Sequence, residues 1–280
     1  MYFVQGILGL ARLAVSFFLK DDLGLSPAQV SALMGIAAFP WVIKPLFGFV
    51  SDGLPIFGYR RRPYLILSGL MGAGSWLALA FVVQTAWAAT VAIALNSLAV
   101  AVSDVIVDSL VVERARKESF EKAGSLQSVS WGASAVRSLI TAYLSGILLE
   151  FFSTRTVFGI TAAFPLIVSL VAGLISEQPV ESSSEWAVVK NQITQLRSAI
   201  TRPIIWMPTA FLFLWQATPS SESAFFFFVT NDLNFDPEFL GRVRLVTSVA
   251  ALLGIWLFQR FFKSVPFRKI FLWTTIVSTL

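Results

Sequence analysis

Apolar residues fall in nine blocks separated by short polar stretches: near 2–19, 28–50, 63–84, 87–110, 124–149, 156–176, 204–229 and 239–262, with a ninth starting near 267. All but the ninth, which meets Leu280, reach the roughly 20 residues needed to cross a hydrocarbon core about 30 Å thick. A lone segment in lipid must satisfy its own backbone hydrogen bonds, so each block is predicted to be a helix. Pro40, Pro45, Pro165, Pro208 and Pro219 lie inside blocks, where a bundle tolerates them and where they often mark functional breaks. The longest polar stretch is 177–202. Its start reads as loop, and from Glu185 on it reads as an amphipathic helix lying on a membrane surface.

Two of the polar turns match each other. Residues 17–28 read FFLKDDLGLSPA and residues 227–238 read FFVTNDLNFDPE. At an offset of 210, Phe17, Phe18, Asp22, Leu23 and Pro27 pair with Phe227, Phe228, Asp232, Leu233 and Pro237. Self-similarity at so long an offset indicates a duplicated half, and parallel halves build one large transporter architecture. The expected organisation is a six-helix half over 1–176, a linker over 177–203 facing the cytoplasm, and the start of a second half over 204–280. A half of 210 residues implies a whole near twice that length. The chain is therefore expected to be a fragment that lacks about three final helices and does not transport by itself.

Composition agrees with a membrane protein: 56% of residues are hydrophobic and 13% charged, against about 25% charged in a soluble domain. The first block is expected to direct insertion without a cleaved signal. With no Cys and no His, thiol nucleophiles, disulfides, His bases and Cys/His metal sites are excluded; neither metal nor cofactor is expected. Positive charge alternates from loop to loop. Arg60–Arg62, then Arg114, Arg116, Lys117 and Lys122, then Lys190, Arg197 and Arg202, then Arg260, Lys263, Arg268 and Lys269 mark one side. Asp21, Asp22, Glu150, Asp232, Asp236 and Glu238 mark the other, with Lys20, Arg155, Arg242 and Arg244 as exceptions. By the positive-inside rule the basic loops face the cytoplasm. The net charge of +5 thus reflects topology and not affinity for nucleic acid.

Charges inside spans are costly and usually functional. Gln5, Gly9, Arg12 and Ser16 form one helical stripe, expected to face protein or a water-filled cavity. The 210 offset sets Arg12 opposite Glu222, so the two either meet or jointly bind at a central cavity. Asp104 and Asp108 share a face at the depth of Lys44. They are candidates for proton coupling, with a structural Lys44–Asp104 ion pair as the competing reading. Gln127, Ser130, Ser134, Arg137, Ser138 and Thr141 make a second polar stripe; Arg137 either holds a substrate carboxylate or packs. Trp215, beside Gln216 and Pro219, is the aromatic most suited to stack on a flat heterocycle.

Between the second and third blocks the chain reads GFVSDGLPIFGYRRRP. Gly48, Asp52, Gly58, Arg60, Arg61 and Arg62 resemble the signature loop of the major facilitator superfamily, with four extra residues before the second Gly. YFVQG (2–6), IKPLFGFVSD (43–52), FGYRRRPYL (57–65), DVIVDSLVVERAR (104–116), GSLQSVSWGASAV (124–136), LWQATPSSESAFFFF (214–228) and EFLGRVRLV (238–246) resemble the folate–biopterin transporter family of that superfamily, in its cyanobacterial and plastid branch. The resemblance implies an all-α polytopic bundle with two pseudo-symmetric six-helix halves, the second truncated. It implies a carrier in a bacterial plasma membrane or plastid envelope that moves folates or pterins by alternating access as a proton symporter. Its partners would be the lipid bilayer and that small-molecule substrate, with no nucleic acid and no obligatory protein partner. The signature loop would bias the halves toward one state. Substrate contacts would fall to Arg12, Gln5, Lys44, Gln127, Arg137, Trp215 and Glu222. Competing readings are a carrier for another organic anion or a drug, and a non-transporting scaffold or sensor, which would have no need of intramembrane charge. An enzyme is disfavoured, since the Asp104/Asp108 pair would normally come from two helices.

Overall fold

Among the residues that the computed structural model describes, four helices are long and apolar enough to cross a membrane: Pro27–Gly53, Arg62–Phe81, Ala86–Leu110 and Thr154–Gly173. The structure describes residues 10–116, 140–141, 144–175, 177, 179, 190, 194, 198, 201–216, 221–257, 261, 265 and 267–279. Among them regular structure is helical throughout, apart from an isolated bridge between Ile56 and Tyr59.

Helix α1 (Leu10–Phe17) runs into a π turn at Phe18–Asp22. The next block is one span in three pieces, α2 (Pro27–Ala37), α3 (Phe39–Val42) and α4 (Lys44–Gly53). The breaks have a local cause: Pro40 and Pro45 each lack the N–H that would bond four residues back. Then come α5 (Arg62–Phe81), α6 (Ala86–Arg116), α7 (144–151), α8 (Thr154–Gly173), α9 (Pro203–Gln216), α10 (Glu222–Asn231), α11 (Pro237–Leu257) and α12 (Phe267–Thr279). Two boundaries depart from the pattern of apolar blocks. The fourth helix runs on to Arg116, and the block 204–229 holds two helices, α9 and α10. In the predicted surface helix, Lys190, Thr194 and Ser198 are helical and exposed, as one polar face requires.

The two matching turns share their backbone as well as their letters. Gly24 and Asn234 both take left-handed φ, 61° and 53°; these residue types bear that conformation at least cost. The N–H of Leu23 donates to the Phe18 carbonyl, and that of Leu233 to the Phe228 carbonyl, at 3.0 and 3.2 Å. Leu25 donates to Leu19 and Phe235 to Val229, at 3.0 and 2.9 Å. Each turn then starts a helix with a polar cap and a Pro. Ser26 forms a capping box with Gln29 ahead of Pro27, and Asp236 Oδ1 accepts the Phe239 N–H at 2.8 Å ahead of Pro237. A capping side chain fills an orphan donor of the first turn, and Pro is tolerated there because its missing N–H would be unpaired anyway.

The tightest packing joins α5 to α8, which run antiparallel. Gly69 has no room for a side chain: a Cβ there would lie 2.2 Å from Ser169 Oγ and 2.5 Å from the Pro165 carbonyl oxygen. Ser169 in turn donates to the Ile66 carbonyl at 2.9 Å. Residues at and just beyond the ends of α8 also close both ends of α5. The Glu177 carboxylate meets its N-terminus, while the Arg155 guanidinium donates to the carbonyls of Ala80 and Val83 at its C-terminus, at 3.3 and 2.9 Å. Anion at the N-terminus and cation at the C-terminus both suit the helix dipole. This explains why Arg155 stands on the acidic side of the chain. A buried cluster of Ala14, Phe18, Leu19, Trp76, Leu79, Val157 and Phe158 ties α1 to this pair, with the Phe18 and Phe158 rings edge-on at 5.3 Å.

Candidate functional site

The signature loop is built from residues that are close in sequence and locked by one that is not. Ile56 and Tyr59 exchange two backbone hydrogen bonds at 2.9 and 3.0 Å around Phe57 and Gly58, both at positive φ. That makes a two-residue turn of the type that favours Gly at its second position. Gly48 serves packing: a Cβ would lie 3.3 Å from Val105 Cγ1, so α4 can lie close against α6. Asp52 Oδ1 and buried Arg61 Nη1 form an ion pair at 2.7 Å, coulombic in nature because no N–H is aligned on that oxygen. Arg61 Nη1 also donates to Ser51 Oγ at 3.0 Å, and Ser51 donates to the Gly48 carbonyl. The partner of Asp52 is thus a cation. The helix N-terminus goes to Glu177, which accepts the N–H of Arg60 at 2.8 Å, of Arg61 at 3.0 and 3.3 Å, and of Arg62 at 2.9 Å. Sequence reasoning missed Glu177. Its only signal was an acid directly after an apolar block, on the basic side.

A second cluster lies on α4 and α6. Lys44 Nζ is ion-paired and hydrogen-bonded to Asp104 Oδ2 and lies 3.6 Å from Asp108 Oδ2. The Trp41 ring stands 5.5 Å from the ammonium, a cation–π contact. The Pro45 break places Lys44 at the first position of α4, and the four-residue spacing on α6 turns both carboxylates toward it. Lys44 and Asp104 are mostly buried, and Asp108 is half exposed. The ion pair of the competing structural reading exists, and it takes in the second carboxylate.

The third cluster joins distant segments. Phe17 on α1 meets Phe226 on α10 edge-on, with ring centroids at 5.2 Å. Arg12 is exposed although Ala11, Leu13 and Ala14 beside it are buried, so its side chain faces away from the packed core. Glu222 is exposed on α10. Of the remaining candidates, Gln5, Gln127 and Arg137 lie outside the described residues, and Trp215 lies on α9.

Comparison with known proteins gives one family. The BT1 family matches residues 5–280. A folate-biopterin transporter of Synechocystis sp. is 59% identical over 280 residues, covering 100% of this chain and 57% of the relative. Folate transporter 2 of Plasmodium falciparum is 33% identical, covering 98% and 60%. Folate transporter 1 of the same organism is 30% identical, covering 99% and 54%. The chain spans a little over half the length of these relatives.

Proposed function

The chain belongs to the BT1 family, and on that premise we propose that it acts as all or part of a secondary carrier for folates or pterins. The observation that carries this reading is the 59% identity to a folate-biopterin transporter across the whole chain. The finer architecture proposed is that of the major facilitator type: a six-helix half over 1–176, a linker over 177–203 and the opening helices of a second half over 204–280. Its support is the pair of turns 210 residues apart, alike in left-handed residue, hydrogen bonds, cap and Pro.

The clusters then divide the work. Alternating access needs contacts that form in one state and break in the other. The Asp52–Arg61 pair and the Glu177 clamp hold the basic end of α4, α5 and α8 as one body. Lys44 with Asp104 and Asp108 carries a net charge of −1 when all three are ionised. One proton makes the group neutral, which lowers the cost of burying it when the carrier reorients. This is the proposed coupling site, with half-exposed Asp108 receiving the proton.

The test is uptake of labelled folate and biopterin into vesicles bearing the full-length protein, with and without an inward proton gradient. Uptake stimulated by the gradient is expected. The variant with Asp104→Asn and Asp108→Asn together should keep binding but lose the stimulation. No uptake of either compound would end the substrate assignment; unchanged stimulation in the double variant would end the coupling assignment alone.

A further inference from the structure

We infer that an apolar seam at the acidic end of the chain is the gate on that side of the carrier, with Phe17 and Phe226 as its separating contact and Gly146 and Gly241 setting how tightly it shuts. The inference deepens the carrier reading above and rests on it.

The seam joins segments before residue 177 to segments after residue 203. Phe17 on α1 meets Phe226 on α10 edge-on at 5.2 Å, and α10 packs on α2. In the run of four phenylalanines on α10, Phe225 and Phe228 are exposed. Phe227 instead packs on the cluster that holds Phe18, and Val229 is buried. One face of α10 is therefore turned to the first segment. Two buried glycines let α7 and α11 touch. A Cβ on Gly146 would lie 2.9 Å from Gly241 Cα and 2.8 Å from the Pro237 carbonyl oxygen, so any side chain there overpacks the contact. These residues stand toward one end. Phe17 is four residues before Asp21, Phe226 six before Asp232, Gly146 four before Glu150, and Gly241 three after Glu238. Each is within about two helical turns of an acidic loop. The acidic end is thus shut in this structure.

The kind of contact decides which parts move together. Inside the first segment the acidic end is held by directional bonds. Thr154 donates to Asp22 Oδ2 at 2.6 Å. Arg155 donates to the Ala80 and Val83 carbonyls and lies over the Phe18 ring at 5.4 Å. Such bonds weaken steeply when distance or angle changes, so they bind α1, α5 and α8 into one body. The seam contacts named above are ring edges and bare backbone. Dispersion contacts are individually small and have no donor or acceptor to leave unpaired when they part. Domain rearrangement needs stiff bodies and an interface that can break between them. Here the directional contacts lie within the body and the apolar ones lie across the seam.

The experiment is reversible bridging of the seam. Residues 1–280 contain no Cys, so Phe17→Cys with Phe226→Cys places a thiol pair across it. The full-length protein in vesicles is bridged with a short bis-methanethiosulfonate and then reduced. Bridging should abolish uptake of labelled folate and reduction should restore it. Full uptake by the bridged protein would overturn the gate, because the rings would then be a static contact. Equal loss in the two single-Cys variants under the same reagent would overturn it as well. Should the double variant be inactive before bridging, labelling of Val229→Cys by a membrane-impermeant maleimide, added on the side of the acidic loops, decides. Adding Gly146→Ala forces the seam apart and should speed that labelling several-fold; an unchanged rate would overturn the gate. Wild-type uptake of neither folate nor biopterin would instead overturn the carrier reading itself.

Discussion

Replacing Glu177 by Gln removes one charge and one acceptor from the N-terminus of α5. In the native protein Oε1 accepts the N–H of Arg60 and Arg61, and Oε2 accepts those of Arg62 and, at 3.3 Å, Arg61. Gln keeps one oxygen, but its amide nitrogen would face N–H donors. A hydrogen bond to a charged group contributes about 1.5–3 kcal/mol, and the dipole interaction adds about 0.3–1 kcal/mol. Since the site is partly open to water, which can replace the lost acceptor, the net cost expected is about 2 kcal/mol. That raises the population of the released loop about 30-fold. The assay is limited trypsin digestion in detergent micelles, read as nicking after Arg60 and Arg61. When the loop recloses faster than it is cut, the nicking rate tracks the open population. Glu177→Gln should nick tens of times faster than wild type, with Glu177→Asp between them. A rate within twofold of wild type would show that the clamp does not hold the loop.

Two further expectations concern packing and charge. Gly69→Ala should cost about 3 kcal/mol by overpacking, because two of its nearest new contacts would be backbone atoms of Pro165 and Ser169; Gly74→Ala, with nothing within 4 Å, should be neutral or slightly stabilising, and equal unfolding midpoints for the two in detergent would refute the contrast. Lys44→Met should destabilise by about 1–2 kcal/mol, a buried-pair loss reduced by partial exposure, and adding Asp104→Asn should restore part of it; strictly additive unfolding free energies in that double-mutant cycle would show that the pair is not coupled.

Much of the fold was legible in the chain because lipid leaves few options. Block length and apolarity forecast α5, α8 and the start of α6 closely, since a span must be helical and must cover the core. The broken second block was also readable in kind, because Pro40 and Pro45 act on their own backbone. The split of 204–229 into α9 and α10 was not forecast, because the block was read as one span despite the polar stretch QATPSSES at 216–223. In the candidate sites, the four-residue spacing of Asp104 and Asp108 correctly put them on one face. Their joint hold on Lys44 depended on how α4 lies against α6, a matter settled by Gly48 and Val105.

The sequence by itself determined what lies within a few residues of each position. It set the matching turns, with Gly24 and Asn234 at the left-handed position and Pro27 and Pro237 opening the next helices. These features come from steric limits and hydrogen bonds that act locally. Only the tertiary structure decided which charges meet. Asp52 takes Arg61, Glu177 reaches a helix end 115 residues away, and Arg155 closes the other end of that helix. Coulombic and hydrogen-bond partners are selected by distance in space, and helix packing fixes those distances after the helices themselves have formed.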